Sequence, residues 1–227
     1  FILYGMLLAL AMTIVLPLLA VFARDFARCL ETYGIVFASR IVFIPLRPLI
    51  LAETLSQPIL YTLIFLAMAF YMRFRDIPSD FSGLMRGRLS IYLQVPMGVT
   101  MGVVAGIIEY QILKPKPIGS PERLIETLAY LVIVMIVFVA VTEELMFRGL
   151  LQNFVSGVVP AVQSILMVSV QFGLMHIGWG VPFELLYAYV AGVILGTIYY
   201  GTKSLLMPII IHGVGNITLY VLALLFV

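Results

Sequence analysis

This sequence predicts an all-α membrane protein, a bundle of about eight transmembrane helices. Three observations carry that expectation. Apolar residues make up 63% of the 227, and the mean hydropathy is +1.16, which is more apolar surface than a water-soluble domain of this size hides in one core. Charged residues are only 11%. The apolar residues also fall into runs near the ~20 residues that span a bilayer as a helix, separated by short stretches rich in Arg, Lys and Pro.

The first span covers about 1–22. The second, about 33–51, is poor: it contains Arg40, Pro45, Arg47 and Pro48, and reads as kinked, amphipathic or partly interfacial. The third runs over about 57–72, and the fourth over about 89–113 with Pro96 as a candidate kink. The fifth, about 121–155, is long enough that its start is expected outside the bilayer, opened by Ser120-Pro121-Glu122. The sixth, seventh and eighth cover about 160–177, 182–200 and 204–227. Two glycine ladders, Gly98-Gly102-Gly106 and Gly192-Gly196, allow close helix approach, and internal packing is favoured over dimerisation. With no repeat and no soluble module, residues 1–227 read as a single integral membrane domain. The chain opens on Phe1, so further residues are expected before it, and no cleavable signal peptide is evident.

Arg24, Arg28, Arg73, Arg75, Arg86, Arg88 and Lys203 fall in loops on one side, against Lys114, Lys116 and Arg123 on the other. The positive-inside rule then puts the first side in the cytoplasm and both termini outside. A net charge of +2 gives no reason to invoke nucleic acid. The one cysteine, Cys29, reads as a loop residue and rules out an internal disulfide.

Ionisable groups inside a span are the default suspects for function. Here they are Glu143, Glu144, Arg148, His176 and His212, with Asn216 beside them. Glu144 and Arg148 are four apart and can pair on one helix face, which leaves Glu143 turned about 100° away. His212 and Asn216 are also one turn apart. At a rise of 1.5 Å per residue from the cytoplasmic ends, Arg148 and His212 lie roughly 12 Å deep, Asn216 roughly 18 Å, Glu143 roughly 20 Å and His176 roughly 24 Å. Three helices thus place their polar groups in one middle slab.

A carboxylate beside an imidazole can activate water, with Glu143 as the base and His176 sharing the water or protonating a leaving amine. His212 and Asn216 can donate to a tetrahedral oxyanion. Hydrolysis of an amide or ester follows without a covalent nucleophile. Zinc held by Glu143, His176 and His212 is the alternative mechanism, although no H-E-x-x-H pattern exists here.

Glu143-Glu144-x-x-x-Arg148, Phe172-x-x-x-His176 and His212-x-x-x-Asn216 follow one another in this order. The set resembles the CAAX prenyl protease type II family, the Ras-converting enzyme group, within the broader CPBP (abortive-infection-like) intramembrane proteases. The likeness spans roughly residues 120–227. It implies an eight-helix core with a cavity open toward the cytoplasm, and removal of the last three residues from a prenylated CaaX protein or peptide within membrane lipid. Glu143 and His176 would activate the water, His212 and Asn216 would form the oxyanion hole, and Glu144 and Arg148 would support the site. No cofactor is implied if the enzyme is of the glutamate type. The location would be the plasma membrane of a prokaryote or the endoplasmic reticulum of a eukaryote. The competing functions are a superfamily member with a non-prenylated substrate, and a proton- or ion-coupled transporter using Glu143 and the histidines as a relay.

Overall fold

The computed structural model describes residues 23–46, 53–84, 87–116, 123–177 and 180–226. The expected span over 1–22 lies outside these residues, as do Arg47, Pro48, Arg86, Ser120 to Glu122 and Trp179. Seven helices are described: α1 (Arg24–Leu46), α2 (Glu53–Phe74), α3 (Ile91–Leu113), α4 (124–156), α5 (Ala161–Leu174), α6 (Pro182–Thr202) and α7 (Leu206–Leu225). Among the described residues five helices, α2, α3, α4, α6 and α7, are long and apolar enough to cross a membrane, and α5 is a shorter apolar helix. The chain is a multi-span helical membrane bundle.

Helix α1 departs from expectation. Arg24, Arg28 and Cys29 belong to the helix, not to a loop, because it starts nine residues earlier than the apolar run does. Cys29, Thr32, Val36 and Ser39 form a buried stripe at helical spacing. That stripe packs on the end of α4, so tertiary contact extends the helix beyond its hydrophobic segment.

Helix α3 starts where Ser90 caps it, its Oγ accepting from the Tyr92 N–H at 3.3 Å, and ends where Lys114 turns left-handed at φ +42°. Pro96 is accommodated inside it. One face carries Gln94, Gly98, Gly102, Gly106 and Glu109, all buried. The glycines lie against α7: a Cβ on Gly102 would meet the Ile211 carbonyl oxygen and Val214 Cβ, each at 2.8 Å, and Gly106 backs onto Gly215 and Thr218. The second ladder joins α6 to α5 and α4, with Gly192 against Ser169 and Gly196 against Gln152 and Ile165. Both ladders are internal seams.

Helix α4 is not a uniform α-helix. Stretches of π-helix, Ile133–Ala140 and Leu145–Gln152, flank a single α-turn, Val141–Glu144. Such wide turns are uncommon and concentrate at functional positions. Here they change the direction of successive side chains around the two carboxylates.

The main core cluster includes Leu145, Phe147, Leu150, Leu151, Phe154, Tyr199 and Leu205, and fills the end of the bundle near Arg73, Arg88 and Lys203. Asn153 Nδ2 closes that end by donating to the Tyr199 hydroxyl at 2.6 Å and the Phe81 carbonyl at 2.5 Å.

Gly102→Val is expected to push α3 off α7 and destabilise the protein by about 1–3 kcal/mol, the range for overpacking. Thermal unfolding in detergent checks this, and an unchanged midpoint would mean that the seam is not tight.

Candidate functional site

The side chains that matter come from four helices and one turn. Val141–Glu144 on α4 carries the two carboxylates. Glu144 is fully buried, and its Oε1 accepts from Arg148 Nη1 at 2.8 Å and from His212 Nδ1 at 2.7 Å. The expected Glu144–Arg148 pair is therefore present, with an imidazole from α7 added to the same oxygen. Arg148 is equally buried, reaches the Gly192 carbonyl at 3.4 Å through Nη2, and lies 4.3 Å above the Phe172 ring. That ring supplies a face for the guanidinium where no water can.

Glu143 does not simply face elsewhere. Its Oε1 accepts from the Tyr61 hydroxyl of α2 at 2.5 Å, and its Oε2 lies 3.8 Å from His212 Nε2. One imidazole thus bridges the two carboxylates, Nδ1 to Glu144 and Nε2 toward Glu143. A carboxylate only accepts, so His212 Nδ1 carries a hydrogen. Donation from Nε2 to an oxyanion therefore requires the imidazolium form.

His176 is not in the body of a span. Helix α5 ends at Leu174, and His176 sits in the turn just beyond. Its Nδ1 lies 3.0 Å from the Phe172 carbonyl oxygen. A carbonyl also only accepts, so this nitrogen donates and the lone pair of the neutral ring is on Nε2.

A pocket of about 120 Å³ brings these groups together, large enough for several waters. Glu143, His176, His212 and Asn216 line it, joined by Tyr61 and Glu109. Glu144 and Arg148 are not on its wall; they lie behind His212. Phe147 and Phe172, behind the pocket, are buried and pack edge to face with centroids 5.1 Å apart.

Tyr61 and Glu109 were missed in the sequence. Glu109 gave a usable signal, being a lone carboxylate inside a span, one turn beyond the glycine ladder. Tyr61 gave none, because a tyrosine in an apolar helix is ordinary.

Glu143, His176 and His212 share the pocket, but among the described residues no group of three or more His, Cys, Asp or Glu is arranged to hold a metal ion. The donor set weighed for zinc does not converge as a ligand set, and no step is derived through a metal.

The pocket lies toward one end of the bundle. Gln57, Glu109 and His176 line it from the ends of α2, α3 and α5 that adjoin Lys114 and Lys116, while the opposite end is packed core. Charge counting puts the cytoplasm at the packed end, so the expected orientation and the expected cytoplasmic opening do not fit together.

Carboxylates, imidazoles and a carboxamide thus line one pocket inside a helical membrane bundle. Residues 125–218 match the family model of the type II CAAX prenyl endopeptidase, Rce1-like. No curated protein and no solved structure matches the chain.

Glu144→Ala is expected to lower stability by about 3–5 kcal/mol, because it strands a buried guanidinium. Adding Arg148→Met should recover part of the loss. Unfolding midpoints of the two variants in detergent test this; a fully stable Glu144→Ala protein would contradict the pairing.

Proposed function

We propose that the protein is an intramembrane endopeptidase that removes the aaX tripeptide from a prenylated CaaX protein by direct attack of water. The observation that carries this reading is the convergence of Glu143, His176, His212 and Asn216, from three separate stretches of chain, on one pocket. The family match over 125–218 supplies the substrate class.

In the proposed reaction a water lies between Glu143 and His176. Tyr61 donates to Glu143 Oε1 and so serves the ionised base, while Oε2 takes the proton. The tetrahedral oxyanion is held by the Asn216 amide and by His212. Glu144, hydrogen-bonded at His212 Nδ1, supports the imidazolium that donation requires. Arg148 keeps Glu144 ionised and in place. A pocket inside a helical bundle suits an amphiphilic substrate, whose lipid lies among the helices while its polar end enters from water.

This reading retains the cytoplasmic opening and gives up the orientation drawn from charge. The end bearing Lys114 and Lys116 faces the cytoplasm, because the pocket lies toward that end.

Glu143→Ala is expected to abolish cleavage of a farnesylated CaaX peptide while leaving the unfolding midpoint near wild type; turnover like wild type by that variant rejects Glu143 as the base. Equal cleavage of the unlipidated peptide by the wild-type protein would shift the substrate class away from prenylated chains. For the topology, Lys116→Cys should react with an impermeant maleimide only from the cytoplasmic face, since Lys116 is exposed and the native Cys29 is buried. Labelling only from the other face restores the orientation expected from charge.

A further inference from the structure

The hydrolysis described above leaves one demand open. The leaving nitrogen needs a proton as the C–N bond breaks, because an amide anion is not a viable leaving group at neutral pH. His176 is badly placed to supply it: Nδ1 donates to the Phe172 carbonyl, so the neutral ring offers only a lone pair to the pocket. Asn216 does not titrate, and Glu143 gains a proton only from the attacking water, so a second carboxyl would supply one independently of that step.

Glu109 is the remaining acid on the pocket wall. It is 8% exposed and reaches the pocket from α3, while Glu143 stands on α4 and His212 and Asn216 on α7. The glycine seam sets this position: Gly102 and Gly106 bring α3 against α7, and the next residue on the same face is Glu109.

Every titratable neighbour of Glu109 bears on its proton. The Tyr187 hydroxyl of α6 gives its single hydrogen to the Ala105 carbonyl at 3.0 Å. The same hydroxyl lies in hydrogen-bonding contact with Glu109. Glu184, also on α6, is fully buried with neither oxygen hydrogen-bonded and is in electrostatic contact with Glu109. Two adjacent buried carboxyls do not both ionise readily. Glu143 is a further negative neighbour, while His212 and the Tyr187 hydroxyl oppose them. A pocket whose two carboxyls differ in this way, one served as an anion by Tyr61 and the other buried beside a second buried carboxyl, Glu184, divides base from acid.

We propose that Glu109 is the general acid of this site, protonating the leaving amine as the scissile bond breaks. The proposal rests on the endopeptidase reading. Water oxygen adds to the carbonyl carbon while Glu143 takes its proton. The C–N bond then breaks with its electron pair on nitrogen, and the Glu109 carboxyl gives that nitrogen a proton. The products leave as a carboxylic acid and an amine. The proton on Glu143 returns to Glu109 through pocket water, so atoms and charge balance over the cycle.

The test compares two farnesylated CaaX peptides, one with the ordinary scissile amide and one with a thioester at the same bond. A thiolate leaves without a proton, whereas an amine does not. Glu109→Gln, which retains shape and polarity, should slow amide cleavage by about 100-fold or more, within the range of a lost general acid, and change thioester cleavage by no more than about threefold. Glu109→Asp, which keeps an acid, should recover part of the amide rate. If the glutamine variant does not fold, the aspartate variant carries the comparison, again with a larger loss on the amide than on the thioester. Equal losses on both substrates make Glu109 structural and overturn the proposal, as does an unchanged amide rate. A wild-type protein that cleaves neither peptide overturns the endopeptidase reading itself, and the acid role falls with it. A wild-type protein that cleaves both, with variants that do not discriminate between them, overturns the acid role alone.

Discussion

The site is organised around one carboxylate oxygen. Glu144 Oε1 accepts from Arg148 on its own helix and from His212 on α7, both in the buried interior. Neither partner suffices by itself. The guanidinium neutralises the carboxylate, which could not otherwise lie at zero exposure within an apolar bundle. The imidazole is oriented by it, with Nδ1 committed and Nε2 turned toward Glu143 and the pocket. A structural ion pair thereby sets the donor direction of a ring that faces the pocket. The remaining contacts of Arg148, with the Gly192 carbonyl and the Phe172 ring, extend this anchoring to α5 and α6.

Two features of the backbone let that arrangement form. Wide turns on either side of Val141–Glu144 rotate consecutive side chains, so that adjacent glutamates meet opposite sides of one imidazole. The glycine seam between α3 and α7 removes the side-chain layer that would normally separate two helices. It lets α3 contribute Glu109 to a pocket whose other walls are α2, α4, α7 and the turn after α5. The packed core fills the opposite end of the bundle, so the pocket lies toward one end of it.

The family match covers 125–218, and the pocket is larger than that stretch. Tyr61 and Glu109 lie outside it. Glu143, His176 and His212 lie within it. The Tyr61 hydroxyl, bound to Glu143, and the Glu109 carboxyl come from helices that the match does not include. Differences in substrate or proton handling among related chains would be sought first in those two helices.

Hydrophobic run length and the scarcity of charge were enough to make this chain a helical membrane protein, and seven of the eight expected segments correspond to the described helices. Four-residue spacing was enough to pair Glu144 with Arg148, because that contact is local to one helix. Spacing could also set His212 and Asn216 on one face. It could not say that one imidazole joins both glutamates, since that depends on how α7 lies across α4 and on π-turns that no residue pattern announces. It misjudged the start of α1, where burial against α4 extends a helix through Arg24 and Arg28. It missed Tyr61 because only the partner, Glu143, distinguishes that tyrosine from any other in a membrane span. The sequence by itself determined that Glu143, Glu144, Arg148 and His212 lie within apolar helices, since the energetic penalty of such groups is local and visible. Only the tertiary structure decided which of them face one another, because hydrogen bonds between helices depend on relative rotation and approach, which linear spacing does not encode.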